Sequence, residues 1–181
     1  MMSPRIKETV REYAESIVIA FLLAMVVRTF VIQAFKIPTG SMQPTLMPKD
    51  RILVSKFAYR FKEPQTGDVV VFRYPLEPKR DFIKRLIAKP GETVKIEKGY
   101  IYIDGKKIES PPAIKQIYYY NRGDFGSGPE GTRVPADSYF VLGDNSAYSQ
   151  DSRYWGFVPR KNLLGKAMVI YWPIPRIGII R

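Results

Sequence analysis

The 181-residue sequence contains no cysteine and no histidine. Without cysteine there is no disulfide scaffold, no thiolate nucleophile and no thiolate metal centre. Without histidine every Ser-His-Asp triad is excluded, and imidazole metal ligands with it. A hydrolase built from this chain must take its general base from Lys, Asp, Glu or Tyr. Acidic residues are also in short supply: 17 Asp and Glu face 29 Lys and Arg, a net charge of +12. Such an excess suits nucleic acid, an anionic membrane surface or an acidic substrate. There is no compact run of five or more basic residues and no nucleic-acid motif, so nucleic acid is not expected as a partner. The length fits one globular domain, or one domain with an appendage.

Long apolar runs are equally scarce, and only one stands out. IVIAFLLAMVVRTFVIQAF, Ile17 to Phe35, holds 19 residues and a single charge, Arg28. As a helix it would span about 28 Å, close to the hydrocarbon thickness of a bilayer. Arg28 lies near its distal end, where the long stem can carry the guanidinium to the interface. A buried core helix is the alternative, but a domain this small has little room for a helix apolar on nearly every face. A cleavable signal peptide would need a small-x-small pair soon after the run, and none stands at a usable distance. The expectation is therefore a short cytoplasmic segment at 1–15, an uncleaved transmembrane anchor at 16–35 and an extracytoplasmic domain at 36–181. Arg5, Lys7 and Arg11 favour an inside N-terminus, and long downstream domains count little in that rule. An anionic phospholipid bilayer is then the natural partner for the basic charge.

Beyond residue 50, strand signals recur at short intervals: RILVSKF (51–57), DVVVFRY (68–74), DFIKRLIA (81–88), TVKI (93–96), YIYI (100–103), SYFVL (138–142) and AMVIYW (167–172). They are rich in Val, Ile, Tyr and Phe and are separated by Pro, Gly and Asp turns. Asp104-Gly105 signals a type I′ hairpin. No helical period separates the strands, which argues against parallel βαβ units. The expected fold is mainly β, an antiparallel domain behind one N-terminal helix. Gly-rich NRGDFGSGPEGT (121–132) reads as an exposed loop within a small insertion at about 97–137. The C-terminal YWPIPRIGIIR, interrupted by two prolines and an arginine, reads as an edge segment.

KIPTGSMQPTL, Lys36 to Leu46, follows the apolar run directly. Pro38 and Pro44 stiffen the flanks of Ser41, and Gly40 permits close backbone approach. A serine hydroxyl is a weak nucleophile and needs a base within hydrogen-bond reach. With histidine absent, an uncharged lysine amine is the best remaining candidate, because burial can lower its pKa by several units whereas guanidinium keeps its proton. In DFIKRLIA, a strand puts Phe82, Lys84 and Leu86 on one face and Ile83, Arg85 and Ile87 on the other, so Lys84 has apolar neighbours on its own face. Lys36, Lys49 and Lys56 are nearer to Ser41 in sequence, and spacing alone does not exclude them. GDNSAYSQDSRYWG (143–156) is a third turn-rich block with polar hydrogen-bonding capacity.

In this order the anchor, IPTGSMQPTL, GDVVVFRYP, DFIKRLIAKPGE and GDNSAYSQDSR closely resemble bacterial type I signal peptidases. These are membrane-anchored serine endopeptidases that remove signal peptides from exported proteins. The resemblance covers nearly the whole chain. It implies Ser41 as nucleophile, Lys84 as general base and Ser149 as the hydroxyl that orients the lysine. It also implies that the Thr39 hydroxyl joins the Ser41 N–H in an oxyanion hole. Arg85, Asp144, Asp151 and Arg153 match residues that brace the site through ion pairs. Phe35, Ile37, Met42, Leu46, Ile52, Phe82 and Ile83 match the apolar pockets for small residues at the first and third positions before the cut. The implied partners are preproteins carrying signal peptides, the implied location is the bacterial cytoplasmic membrane, and the enzyme is expected to act as a monomer without metal or cofactor. Two rival readings are a self-cleaving repressor-type Ser–Lys protease, against which residues 17–35 argue, and a non-catalytic membrane-tethered β module, which would not need both Ser41 and Lys84.

Overall fold

A computed structural model of the protein describes residues 4–181. Residues 1–3, part of the segment expected at 1–15, lie outside the described residues. Helix α1 runs Pro4–Val26 and continues as a π-helical turn, Val27–Val31. A proline at the start costs nothing, since the first N–H groups of a helix have no intrahelical acceptor. From Arg11 to Val31 the helix is long and apolar enough to cross a membrane, and none of it is buried against protein. That excludes the core-helix alternative.

The apolar run does not stay helical to Phe35. Ile32–Lys36 forms strand β1, paired antiparallel with β2 (Arg51–Ser55) in the register Ile32 to Ser55 and Lys36 to Arg51. Ile, Ala and Phe suit either conformation, and a short apolar stretch carries no period that separates them. What decides is the free edge of β2. The junction is held by Lys56, whose N–H donates to Val31 O and whose Nζ donates to Thr29 O, both at 3.0 Å.

The remaining strands are β3 (Val69–Arg73), β4 (Asp81–Ala88), β5 (Thr93–Glu97), β6 (Tyr100–Ile103), β7 (Lys106–Lys107), β8 (Thr132–Arg133), β9 (Ser138–Leu142), β10 (Val158–Pro159), β11 (Leu163–Trp172) and β12 (Gly178–Ile179). One sheet has the order β1-β2-β11-β3-β4-β9-β10, with β12 on β11; a smaller one has the order β7-β6-β5-β8. Every pairing is antiparallel. The mainly β expectation is met. The excursion is larger than 97–137 at its front, because β5 belongs to the smaller sheet. Asp104 and Gly105 join β6 to β7 with φ of 49° and 76°, the positive pair a type I′ turn requires.

The main sheet is buried on both faces, as the unbroken Val-Val-Val-Phe of β3 demands. Val69 and Val71 join Ile37, Met42, Leu46, Ile52 and Ala167 in one core, while Val70 and Phe72 join Leu86, Tyr139 and Val141 in another. A third core lies under the smaller sheet, where Val94, Ile96 and Ile101 meet Ile87, Phe140 and Leu142. Strand β4 touches all three: Ile83 packs on the first, Phe82 and Leu86 on the second, Ile87 and Ala88 on the third.

Candidate active site

Lys84 pairs with Val70 and, by strand alternation, shares the face of Phe82 and Leu86. It is 4% exposed, and its Nζ lies 2.7 Å from Ser41 Oγ and 3.1 Å from the Ile83 carbonyl oxygen. Two residues 43 positions apart thus meet at hydrogen-bond distance. Burial lowers the Lys84 pKa from its ordinary value to about 8, Asp151 and Asp144 opposing the shift and Arg153 adding to it. The like-charged neighbour that adds to the shift is Arg153, which lies far along the chain from Lys84. Of the alternative lysines, Lys56 is committed to the root of the helix, and Lys36 and Lys49 are exposed.

Two buried ion pairs frame this contact. Arg85 donates to Asp144 through Nε (2.8 Å) and Nη2 (2.6 Å) and through Nη1 to Gly67 O (2.8 Å), while Thr45 Oγ1 donates to Asp144 Oδ2 at 2.5 Å. Arg153 donates to Asp151 through Nε (2.8 Å) and Nη2 (2.9 Å). The same guanidinium also serves Tyr120 O, Ser146 Oγ and Ser146 O at 2.8–2.9 Å, so one planar fork holds the loop that follows Gly143. All four charged side chains are inaccessible to solvent. Two such pairs tolerate burial because every charge is matched and hydrogen-bonded; removing one partner would leave an uncompensated buried charge.

Gly143 lets the two loops touch. A Cβ there would lie 2.1 Å from Ser149 Oγ and 2.5 Å from Ser41 O. Ser149 is buried, but its hydroxyl has no hydrogen-bond partner among the described residues, so the expected bond to Lys84 is not formed. Its Oγ lies against Gly143 instead. At Gly40 a Cβ would meet only the end of the flexible Gln43 side chain, Oε1 at 2.9 Å, which can move aside. Thr39 is exposed, with its hydroxyl 3.5 Å from Ser41 Oγ.

A groove of about 570 Å³ opens over the contact, lined by Pro38, Thr39, Ser41, Tyr74, Arg80, Asp81, Phe82, Ile83, Lys84, Tyr148 and Gln150. Next to it a pocket of about 40 Å³ is lined by Phe35, Ile37, Ile52, Val71, Phe82 and Ile83 among others. Met42 and Leu46 line neither: both are fully buried in the first core, correcting their assignment to the pockets. Tyr74, which stacks on Phe82 at 4.4 Å, and Arg80, over the same ring at 5.4 Å, were not singled out in the sequence. Nor was the pair Asp50–Arg176 (2.9 Å), which ties the C-terminal segment to the turn after Ser41. Long-range partners of this kind leave no local pattern.

The β4 edge completes the geometry. Asp81 to Arg85 pair with β3, but β9 joins β4 only from Arg85 onward, leaving the first half of β4 open on that side. The family model described as signal peptidase, peptidase S26 matches residues 10–172. The chain belongs to that family. It is 42% identical to a probable signal peptidase I-2 of Synechocystis, over 93% of this chain and 76% of the relative. It is 41% identical to a signal peptidase I of Leptolyngbya laminosa, over 97% of this chain and 86% of the relative. A solved signal peptidase I of Enterococcus faecalis is 32% identical, over 58% of this chain and 97% of its own, with a TM-score of 0.49. Membership in this family makes the chain a peptidase, a hydrolase of the signal peptidase I kind.

Proposed function

We propose that the protein is a membrane-anchored serine endopeptidase that removes N-terminal signal peptides from exported preproteins, with Ser41 as nucleophile and neutral Lys84 as general base. The observation that carries the reading is the 2.7 Å contact between Ser41 Oγ and a lysine nitrogen whose pKa is pushed down to about 8 by burial. In its neutral form the amine accepts the Ser41 proton as Oγ attacks the scissile carbonyl carbon. The Ser41 N–H and the Thr39 hydroxyl are the donors available to the oxyanion. Lys84, now an ammonium, returns the proton to the leaving nitrogen as the C–N bond breaks. The neutral amine then activates water against the acyl ester. Arg85, Asp144, Asp151 and Arg153 hold the loops and do not react.

The open half of β4 supports binding of an extended substrate as an added strand, with backbone bonds giving affinity and side-chain pockets giving choice. A pocket of about 40 Å³ beside a groove of about 570 Å³ suits a small side chain better than a large one. That favours preproteins with small residues at the first and third positions before the cut. The exposed apolar helix supports anchoring in a membrane; in the proposed arrangement that membrane is the bacterial cytoplasmic one, with residues 1–15 inside and a monomeric catalytic domain outside, beside anionic lipid. The deciding experiment is processing of a purified preprotein by wild type and Ser41→Ala in detergent. Wild type is expected to cut once, after the small-x-small motif, and Ser41→Ala to stay folded and leave the preprotein intact. Substantial cleavage by pure Ser41→Ala would refute the assignment.

A further inference from the structure

Asn145 stands astride the Ser41 backbone. Its N–H donates to Ser41 O at 3.1 Å, and its side-chain Nδ2 donates to Gly40 O at 3.1 Å and to Gln43 Oε1 at 3.4 Å. Both side-chain partners are acceptors, so the amide nitrogen must face them, and a carboxylate cannot do the same work. Gly40 O and the Ser41 N–H belong to one peptide unit, which is planar and trans, so the two groups point in opposite directions. A donor on Gly40 O therefore aims the Ser41 N–H away from Asn145. No acceptor among the described residues takes that N–H. Glycine leaves the preceding backbone free to rotate, so the peptide needs an external hold. Gln43 N supplies a second one, donating to Gly40 O at 3.1 Å.

Asn145 itself is well supported. Its carbonyl accepts from Tyr148 N at 3.0 Å, and Arg153 fixes the next turn through Ser146 O at 2.8 Å. The buried Asp151–Arg153 pair is thus connected to the serine through Asn145. We infer that Asn145 is a positioning residue: it locks the Gly40–Ser41 peptide so that the Ser41 N–H is presented to the developing oxyanion. This rests on the reading of Ser41 as nucleophile given above.

The test is steady-state cleavage of one signal-peptide substrate by the full chain in detergent, comparing wild type, Ser41→Ala, Asn145→Ala and Asn145→Asp. Asn145→Asp keeps shape and backbone bond, loses the donor and turns a carboxylate towards the acceptors Gly40 O and Gln43 Oε1. On the pH plateau, where the effect of the new charge on Lys84 drops out, it should lower kcat by about 10²-fold, towards the cost of a lost oxyanion donor. Asn145→Ala, the milder change should the aspartate not fold, should lower kcat by about tenfold, with KM within about threefold and the rising pH limb unmoved, since it leaves Lys84 untouched. A space-filling role predicts the reverse order, with the aspartate near wild type. The inference is overturned if Asn145→Asp keeps wild-type kcat on the plateau. It is equally overturned if the Asn145→Ala loss comes with a matching rise in KM or a shifted limb. Failure of the underlying reading shows separately, as cleavage that persists in Ser41→Ala.

Discussion

Phe82→Asp tests the protonation state of Lys84. The Phe82 ring centre lies 5.6 Å from Lys84 Nζ. A carboxylate at about that distance attracts an ammonium by about 3 kcal/mol at an effective dielectric constant of about 20, or about two pKa units. Phe82 is only partly buried and faces the open groove, so solvent screening brings the shift closer to one unit. Losing the ring also hydrates the amine, which acts in the same direction. In wild type the rising limb of kcat/KM should fall near 8, because burial lowers the lysine pKa to about 8 and only the neutral amine reacts. In Phe82→Asp the limb should move up by one to two units, so that activity at neutral pH drops more than activity at high pH. The assay is a kcat/KM profile on one peptide, in detergent and at constant ionic strength. Lost stacking with Tyr74 will scale the whole curve without moving its limb. A wild-type limb near 10, or an unmoved limb in a variant that still cleaves, would refute Lys84 as the titrating base.

Lys84→Arg should be as inactive as Lys84→Ala in the same peptide assay, because guanidinium keeps its proton throughout the accessible pH range. Retention of even about a tenth of wild-type activity would make Lys84 structural rather than the base. Thr39→Ala should lose about 10²–10³-fold in kcat with little change in KM, and Thr39→Ser should keep most of the activity. Equal rates for the two variants would leave the oxyanion to backbone donors alone.

The mainly β architecture was legible because strand signals are local. Asp81–Ala88, Tyr100–Ile103 and Ser138–Leu142 fall on the apolar stretches that announce them, and Asp104-Gly105 adopts the turn its residue types favour. The end of the helix was not legible. Residues 32–35 extend the apolar run with one polar residue, Gln33, and no period or breaker marks a change of conformation, so only pairing with Arg51–Ser55 makes them part of a strand. Met42 and Leu46 were assigned to the pockets by the family resemblance, and their depth in the first core depends on packing that no neighbour in the sequence encodes.

The sequence by itself determined the chemistry that was possible. Having no cysteine or histidine, it left lysine as the best base for a serine, and the alternation in DFIKRLIA supplied Lys84 with apolar company on its own face. Tertiary structure decided which lysine meets Ser41, because a distance of 2.7 Å across 43 residues depends on how β3 and β4 pair and how the Pro38–Pro44 turn packs over them. It also decided the electrostatics. Burial lowers the Lys84 pKa and Arg153 adds to it against Asp151 and Asp144, since the charge felt at a buried amine is set by distance and desolvation in three dimensions and not by adjacency along the chain.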